Sequence, residues 1–263
     1  MGDDAVTRQI DEHMVETWSA LVSQPGVYFY QGSDFCWFVS GVKHPLCNGI
    51  LKVDMEEDEA GPGIERALEI FRTRELPMLC WVTPSTRPAG LPAVLEAQGL
   101  EKMPEVTGMA IELSSLSGSL ELPEEVEIRR VCDREGFSCW IDVFCRVYGF
   151  PDDAGAFFSR AYSWAGMDEG APFSHYVATL QGEPVGCSTT FTFRQVAGLY
   201  NVGTLNQARK RGVGRVCSLV PLLEAAGSGC TRAVLPATEM GKPLYRDIGF
   251  REECRLGAYL FTP

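Results

Sequence analysis

Apolar residues recur at helical spacing from Val6 through Ile10, Met14, Trp18, Leu21 and Val22. The run stops at Gln24-Pro25-Gly26, which predicts an N-terminal helix. Short apolar runs at 27–30, 35–39 and 49–53 predict strands. Gly61-Pro62-Gly63 reads as the opening of a helix with Ile64, Ala67, Leu68 and Phe71 inward. A short buried strand follows at 78–82, then a helix over 92–98 that Gly99 ends as a C′ glycine. Residues 106–113 alternate like a strand.

Residues 114–125 (SSLSGSLELPEE) are polar, with Gly and Pro, and mark a domain boundary. The domains predicted are 1–115, a linker at 116–125, and 126–263. The second half opens with a strand at 126–131. Two helices follow, one lined by Phe137, Trp140, Ile141, Phe144 and Val147, the other by Phe157, Phe158, Ala161 and Trp164. Strands at 176–180 and 185–193 flank the turn Gln181-Gly-Glu-Pro184, and a third lies at 199–205. A glycine loop leads into a helix over 213–226, where Pro221 predicts a kink or an early end. A strand at 233–235, a helix at 241–247 and a strand at 258–261 complete a mixed α/β sheet.

Composition narrows the function classes. The 263 residues are 45% hydrophobic and 22% charged, as in ordinary globular proteins. No apolar run reaches the ~18–20 residues of a membrane span. The first residues lack the basic region of a signal peptide, and Val6 breaks the myristoylation pattern. A net charge of −12 argues against nucleic acid as a main partner, because phosphate neutralisation needs a basic face. The ten cysteines form no C-x-x-C pair, and His13, His44 and His175 lie far apart, so no metal site is expected. Free, mostly buried thiols in a reducing cytoplasm are the expected state.

The halves share punctuation. Gly61-Pro62-Gly63 precedes Gly212-Val213-Gly214, and Gly99-Leu100 precedes Gly249-Phe250, at a nearly constant offset. This favours a tandem duplication. The copies differ in charge. Arg209-Lys210-Arg211 stand before the second Gly-x-Gly, and Glu56-Glu57-Asp58-Glu59 before the first. An anion would be repelled at the first site and attracted at the second. Function is therefore expected in the second half.

Between a strand and a helix, Arg209-Lys-Arg-Gly212-Val-Gly214 combines backbone that can approach a ligand closely with unpaired helical N–H groups. This suits a diphosphate. Taken alone, the loop reads equally as a solvated basic helix start. The Walker pattern is absent, and a dinucleotide G-x-G-x-x-G would need glycine where Cys217 stands.

Arg209-x-x-Gly212-x-Gly214 resembles the acetyl-coenzyme A loop of the GNAT acetyltransferase superfamily. Leu244-Tyr245-Arg-Asp-Ile-Gly249-Phe250 resembles its second motif, and Gly182-Glu-Pro-Val-Gly186 its central turn. The resemblance covers about 126–262, and 26–113 looks like a decayed copy. It implies a mixed, mostly antiparallel sheet flanked by helices (the acyl-CoA N-acyltransferase fold), duplicated. It also implies an acetyl-CoA-dependent N-acetyltransferase with an amine acceptor. The edge Val202-Gly203-Thr204 would pair with the pantetheine arm. Backbone N–H groups of Arg209, Lys210, Arg211, Gly212, Val213 and Gly214 would hold the pyrophosphate. Thr238 stands where an asparagine often meets the cofactor. Tyr245 would be the general acid, with an ordinary tyrosine pKa near ~10. The base stays unassigned. Glu239 is the nearest carboxylate and reads equally as a solvated helix start. A coenzyme A sensor without turnover is the alternative. Trp140, Tyr148, Phe157, Phe158, Tyr162 and Trp164 make the acceptor region aromatic, with helical spacing that reads as core.

Overall fold

The computed structural model describes residues 4–116, 123, 125–166 and 170–263, so the linker at 116–125 lies largely outside them. The elements are α1 (Asp4–Val22), β1 (Tyr28–Gln31), β2 (Phe35–Val39), β3 (Asn48–Val53), α2 (Glu57–Thr73), β4 (Met78–Val82), α3 (Leu91–Ala97), β5 (Glu101–Lys102) and β6 (Val106–Glu112). The second half contributes β7 (Val126–Arg130), α4 (Arg134–Tyr148), α5 (Asp152–Ala165), β8 (Phe173–Leu180), β9 (Glu183–Phe193), β10 (Val196–Thr204), α6 (Val213–Gly227), β11 (Arg232–Ala237), α7 (Lys242–Ile248) and β12 (Arg251–Phe261).

Local chemistry explains most boundaries. Asp133 caps α4 by accepting from the Gly136 N–H at 2.7 Å, and Gly149 ends the helix at φ 66°. Gln181 and Gly182, both at positive φ, make the two-residue turn between β8 and β9. The kink or early end expected at Pro221 does not stop α6. The helix runs on to Gly227, because Pro221 and Leu222 are buried and that packing outweighs one missing hydrogen bond. The first copy differs more. Helix α2 starts at Glu57, not at the Gly61-Pro62-Gly63 opening the sequence predicts. Acidic Glu57, Asp58 and Glu59 fill its first turn, where they complement the positive helix end.

The twelve strands of the described residues form one sheet in the order β1-β2-β3-β4-β12-β6-β11-β10-β9-β8-β7, with β5 pairing beside β12. Among these strands every pairing is antiparallel except β3/β4 and β10/β11, which α2 and α6 connect. The two halves exchange strands. β6, from the first half, lies between β11 and β12 of the second. Residues 257–261 of β12 pair in turn with β4 of the first half. The linker thus separates two stretches of chain without dividing the sheet.

The cores are shared the same way. Tyr259 and Phe261 join Ile50, Ile64, Leu68 and Phe71. Met109 and Ile111 join Leu222, Leu235, Tyr245 and Phe250. Trp140, Phe157, Phe158 and Tyr162 are buried core, as their spacing predicts, whereas Tyr148 and Trp164 are exposed. All ten cysteines are free and six are buried. Burial raises thiol pKa values, to about 12 at Cys217, so these groups stay protonated and inert.

Candidate functional site

The site begins where two parallel strands part. β10 and β11 pair at Val196↔Arg232, Ala197↔Ala233 and Gly198↔Val234, and not beyond, although they continue to Thr204 and Ala237. One edge of β10 over 199–204 is therefore free of its parallel neighbour. On its other side β10 keeps pairing with β9, through a bulge between Tyr200 and Gly203. Gly203 is required there, because a Cβ would lie 2.5 Å from Cγ1 of Val147 on α4.

Residues 205–212 then turn into α6. Lys210 (φ 61°) and Gly212 (φ 82°) both take left-handed backbone, and Gly212 is the N-cap. No side chain caps the helix, so its first-turn N–H groups have no side-chain partner. Arg209 donates from Nε to the Thr204 carbonyl at 3.4 Å. Arg211 pairs with Glu125, so its charge is already shared. Lys210 and Arg209 are exposed. A Cβ at Gly214 would meet Leu244 Cδ2 at 3.5 Å and Thr204 Oγ1 at 3.7 Å. The two motifs, thirty residues apart in sequence, thus converge at Gly214.

Thr238 is exposed and opens the turn into α7. Its Oγ1 accepts from the Gly241 N–H at 3.3 Å, and its carbonyl accepts from Gly241 and Lys242 at 3.0 Å. Tyr245 is 8% exposed and meets Phe250 edge-on at 5.8 Å. Its hydroxyl has no hydrogen-bond partner among the described residues. The ordinary pKa expected for Tyr245 is corrected here: burial raises it above the usual tyrosine value. Glu239 is exposed and pairs with Lys242 at 2.5 Å, which leaves it bound to a cation rather than poised as a base.

The structure gives two residues contacts at the bulge that pattern reading does not assign to them. Tyr148, at the end of α4, donates from its hydroxyl to the Val202 carbonyl at 3.4 Å. The residue is 47% exposed, and desolvation of its phenol pushes its pKa well up. Asn201 occupies the bulge in left-handed backbone. The sequence signal for it was Asn-Val-Gly inside a strand, where an asparagine and a glycine two apart mark irregular backbone.

These features suit a ligand with a diphosphate and an extended amide-bearing arm. The bare helix start and left-handed loop offer N–H groups to the first, and the open edge of β10 offers backbone to the second. The first copy offers neither. Its strand-to-helix connection is only 54–56, Arg87 donates its N–H to the Val53 carbonyl at 3.0 Å, and Met55 donates to the Arg87 carbonyl at 3.2 Å. The gap beside β3 is closed by the protein's own backbone. A cavity of about 350 Å³ elsewhere, lined by Val6, Glu112, Arg232, Arg251 and Glu253 among others, includes none of the predicted site residues. No group of side chains that could hold a metal is present among the described residues. No described helix is long and apolar enough to cross a membrane.

No family model matches the sequence, and no curated protein does. Solved structures do match. A GCN5-related N-acetyltransferase from Kribbella flavida aligns at TM-score 0.73 and 17% identity, over 96% of this chain and 95% of that one. A tandem GNAT protein from the clavulanic acid biosynthesis pathway aligns at TM-score 0.61 and 14% identity, over 96% and 95%. A GCN5-related N-acetyltransferase from Sphaerobacter thermophilus aligns at TM-score 0.61 and 18% identity, over 77% and 68%. With the parted strands, the glycine loop and the two equivalent strand-helix-strand units, these likenesses give the conclusion directly: the chain has the GNAT acyl-CoA N-acyltransferase fold, in its tandem arrangement, over nearly its whole length.

Proposed function

We propose that this protein is an acetyl-CoA-dependent N-acetyltransferase whose second half, 126–263, transfers an acetyl group to a primary amine. The observation that carries this reading is the parting of β10 from β11 beside an uncapped helix start, with Tyr245 buried behind it. Acetyl-CoA would supply a reactive thioester. Backbone N–H groups over 210–214 hold the pyrophosphate, that of Arg209 being already donated to the Asn206 carbonyl at 3.4 Å, with the Arg209 and Lys210 side chains adding positive potential. Residues 202–204 pair with the pantetheine arm as one strand edge pairs with another. Thr238, at the mouth of the gap, offers its hydroxyl. Tyr245 holds a proton that its raised pKa keeps in place at neutral pH, and donates it to the departing sulfur. The neutral amine attacks the acetyl carbonyl directly, the C–S bond breaks as C–N forms, the amine's proton leaves through water to solvent, and Tyr245 regains a proton from solvent, so no cysteine nucleophile is needed. Free thiols support a cytoplasmic setting.

The test is thermal unfolding with and without acetyl-CoA, followed by assay of free coenzyme A thiol over a panel of amines. Ligand at about 100 times its dissociation constant should stabilise the fold by about 2.7 kcal/mol. No shift at millimolar ligand would end this reading. Tight binding with no turnover on any amine would make the protein a coenzyme A sensor instead.

A further inference from the structure

Asn201 lies in left-handed backbone at φ 55°, a region that asparagine tolerates better than most residues. Its surroundings hold it there. The side-chain Nδ2 donates to Tyr162 Oη at 2.7 Å and to Thr189 Oγ1 at 3.2 Å. Thr189 Oγ1 is in turn 3.0 Å from Nδ1 of buried His175. The main-chain carbonyl of Asn201 accepts from the Cys187 thiol at 3.3 Å. Side chain and backbone of one bulge residue are thus fixed by α5, β8 and β9 together.

The preceding residue is fixed from the other half of the chain. His13, on α1, reaches β10 through the space that Gly198 leaves, since a Cβ there would lie 2.2 Å from His13 Cε1. Its Nε2 lies 3.3 Å from the Val196 carbonyl, which can only accept, so Nε2 carries the proton. Nδ1 is therefore the acceptor, and Tyr200 donates its hydroxyl to it at 2.9 Å. Burial keeps the ring neutral, with a pKa lowered to about 4, so this arrangement holds at neutral pH.

Resting on the acyltransferase reading, we infer that His13 and Asn201 are positioning residues: two clamps, one from each half of the chain, grip adjacent residues of the β10 bulge and aim the 202–204 edge at the pantetheine arm. The first half then has a task in binding although its own cleft is closed. Neither residue touches the reacting atoms. Both act through β10, His13 by its bonds to Tyr200 and Val196 and Asn201 by its own place in the bulge before 202–204.

The test separates the arm from the diphosphate. Calorimetry is run with coenzyme A and with 3′-phosphoadenosine 5′-diphosphate, which lacks the arm. Asn201→Ala should weaken coenzyme A binding about tenfold, the loss of roughly one charge-free buried bond pair, with the armless ligand unchanged. Tyr162→Phe and His13→Leu should act in the same direction. His13→Gln, which can still donate to Val196 and accept from Tyr200, should restore affinity. Unchanged coenzyme A binding in Asn201→Ala and His13→Leu would overturn the inference. Parallel loss of both ligands would also overturn it, since that marks a general defect in folding. Should Asn201→Ala fail to fold, Tyr162→Phe carries the same comparison. A wild-type chain that binds neither ligand sinks the acyltransferase reading itself, an outcome distinct from any selective loss in a variant.

Discussion

The backbone N–H of Arg87 donates to the carbonyl of Val53 at 3.0 Å, and this bond occupies in the first half the gap that stays open beside β10 in the second. An isolated bridge between Asp54 and Arg87 extends the same closure. The two copies therefore differ in backbone connectivity as well as in charge. Restoring a basic sequence to the first copy would not reopen its site.

One coenzyme A per chain is the expected stoichiometry. Calorimetry that returned two equivalent sites would contradict the closed first gap. Gly214→Glu should abolish binding, because it adds bulk and a negative charge at the loop. Gly214→Ala should weaken binding far less, since its Cβ would make only ordinary contacts with Leu244 and Thr204. The control belongs at Gly61, which has open space, rather than at Gly63, where a Cβ would lie 2.9 Å from Met55 Sδ. Gly61→Glu should bind as wild type.

Gly198→Ala should destabilise the fold by about 1–3 kcal/mol, a typical overpacking cost. Its methyl would press on His13 and Tyr200, which belong to different halves. Urea unfolding at neutral pH reads the loss. An unchanged midpoint would mean that α1 docks more loosely than its contacts indicate.

Acid should unfold this protein through its histidines. His13 is lowered from 6.5 to about 4, and His175 to about 3, both chiefly by burial. A base with a lower pKa when folded takes up its proton mainly on unfolding, so stability is full above about 6.5 and falls as pH drops toward 4. Each ring contributes up to roughly 3 kcal/mol across that window. Asp11, raised by burial, works in the opposite direction and softens the slope. Urea melts between pH 7 and 4.5 should show the decline, and His13→Gln should flatten it.

Much of this was legible in the sequence, for reasons that particular residues show. The order of helices and strands follows from local periodicity, and Gly99 and Gly249 both adopt positive φ at their helix ends as their shared offset implies. The start of α2 differs from the expectation because Gly61-Pro62-Gly63 reads as a helix opening although it lies inside the helix. The stronger signal was the acidic run from Glu57 to Glu59, which suits a first helical turn. The exchange of β6 and β12 was not legible, since it joins residues more than a hundred positions apart and leaves no periodic trace. His13, Asp11 and Thr17 are buried on α1 among its apolar residues, so the hydrophobic pattern passes over them.

Tyr245→Phe separates enzyme from sensor. The variant keeps the ring and its 5.8 Å edge contact with Phe250. Because the hydroxyl has no partner among the described residues, removing it orphans no buried group, and stability should change little. Burial raises the Tyr245 pKa, which has two consequences. The phenol stays protonated through the alkaline range, so turnover should not decline between pH 7 and 9 from its ionisation. It is also a weaker acid than a free tyrosine, which places its contribution at the low end of the 10²–10⁴-fold typical of positioned acids. Turnover should fall at least ~10-fold, with coenzyme A affinity within about threefold of wild type, because the proton is needed only as the sulfur departs. Steady-state kinetics on any accepted amine, paired with calorimetry, measures both. Equal turnover in the variant would remove Tyr245 as the acid and assign that proton to water or to the attacking amine. Tyr148, whose hydroxyl reaches Val202, is the control for a general effect of tyrosine loss near the bulge. Tyr148→Phe should lower turnover far less than Tyr245→Phe does, since it removes a long 3.4 Å bond and no proton that the sulfur receives.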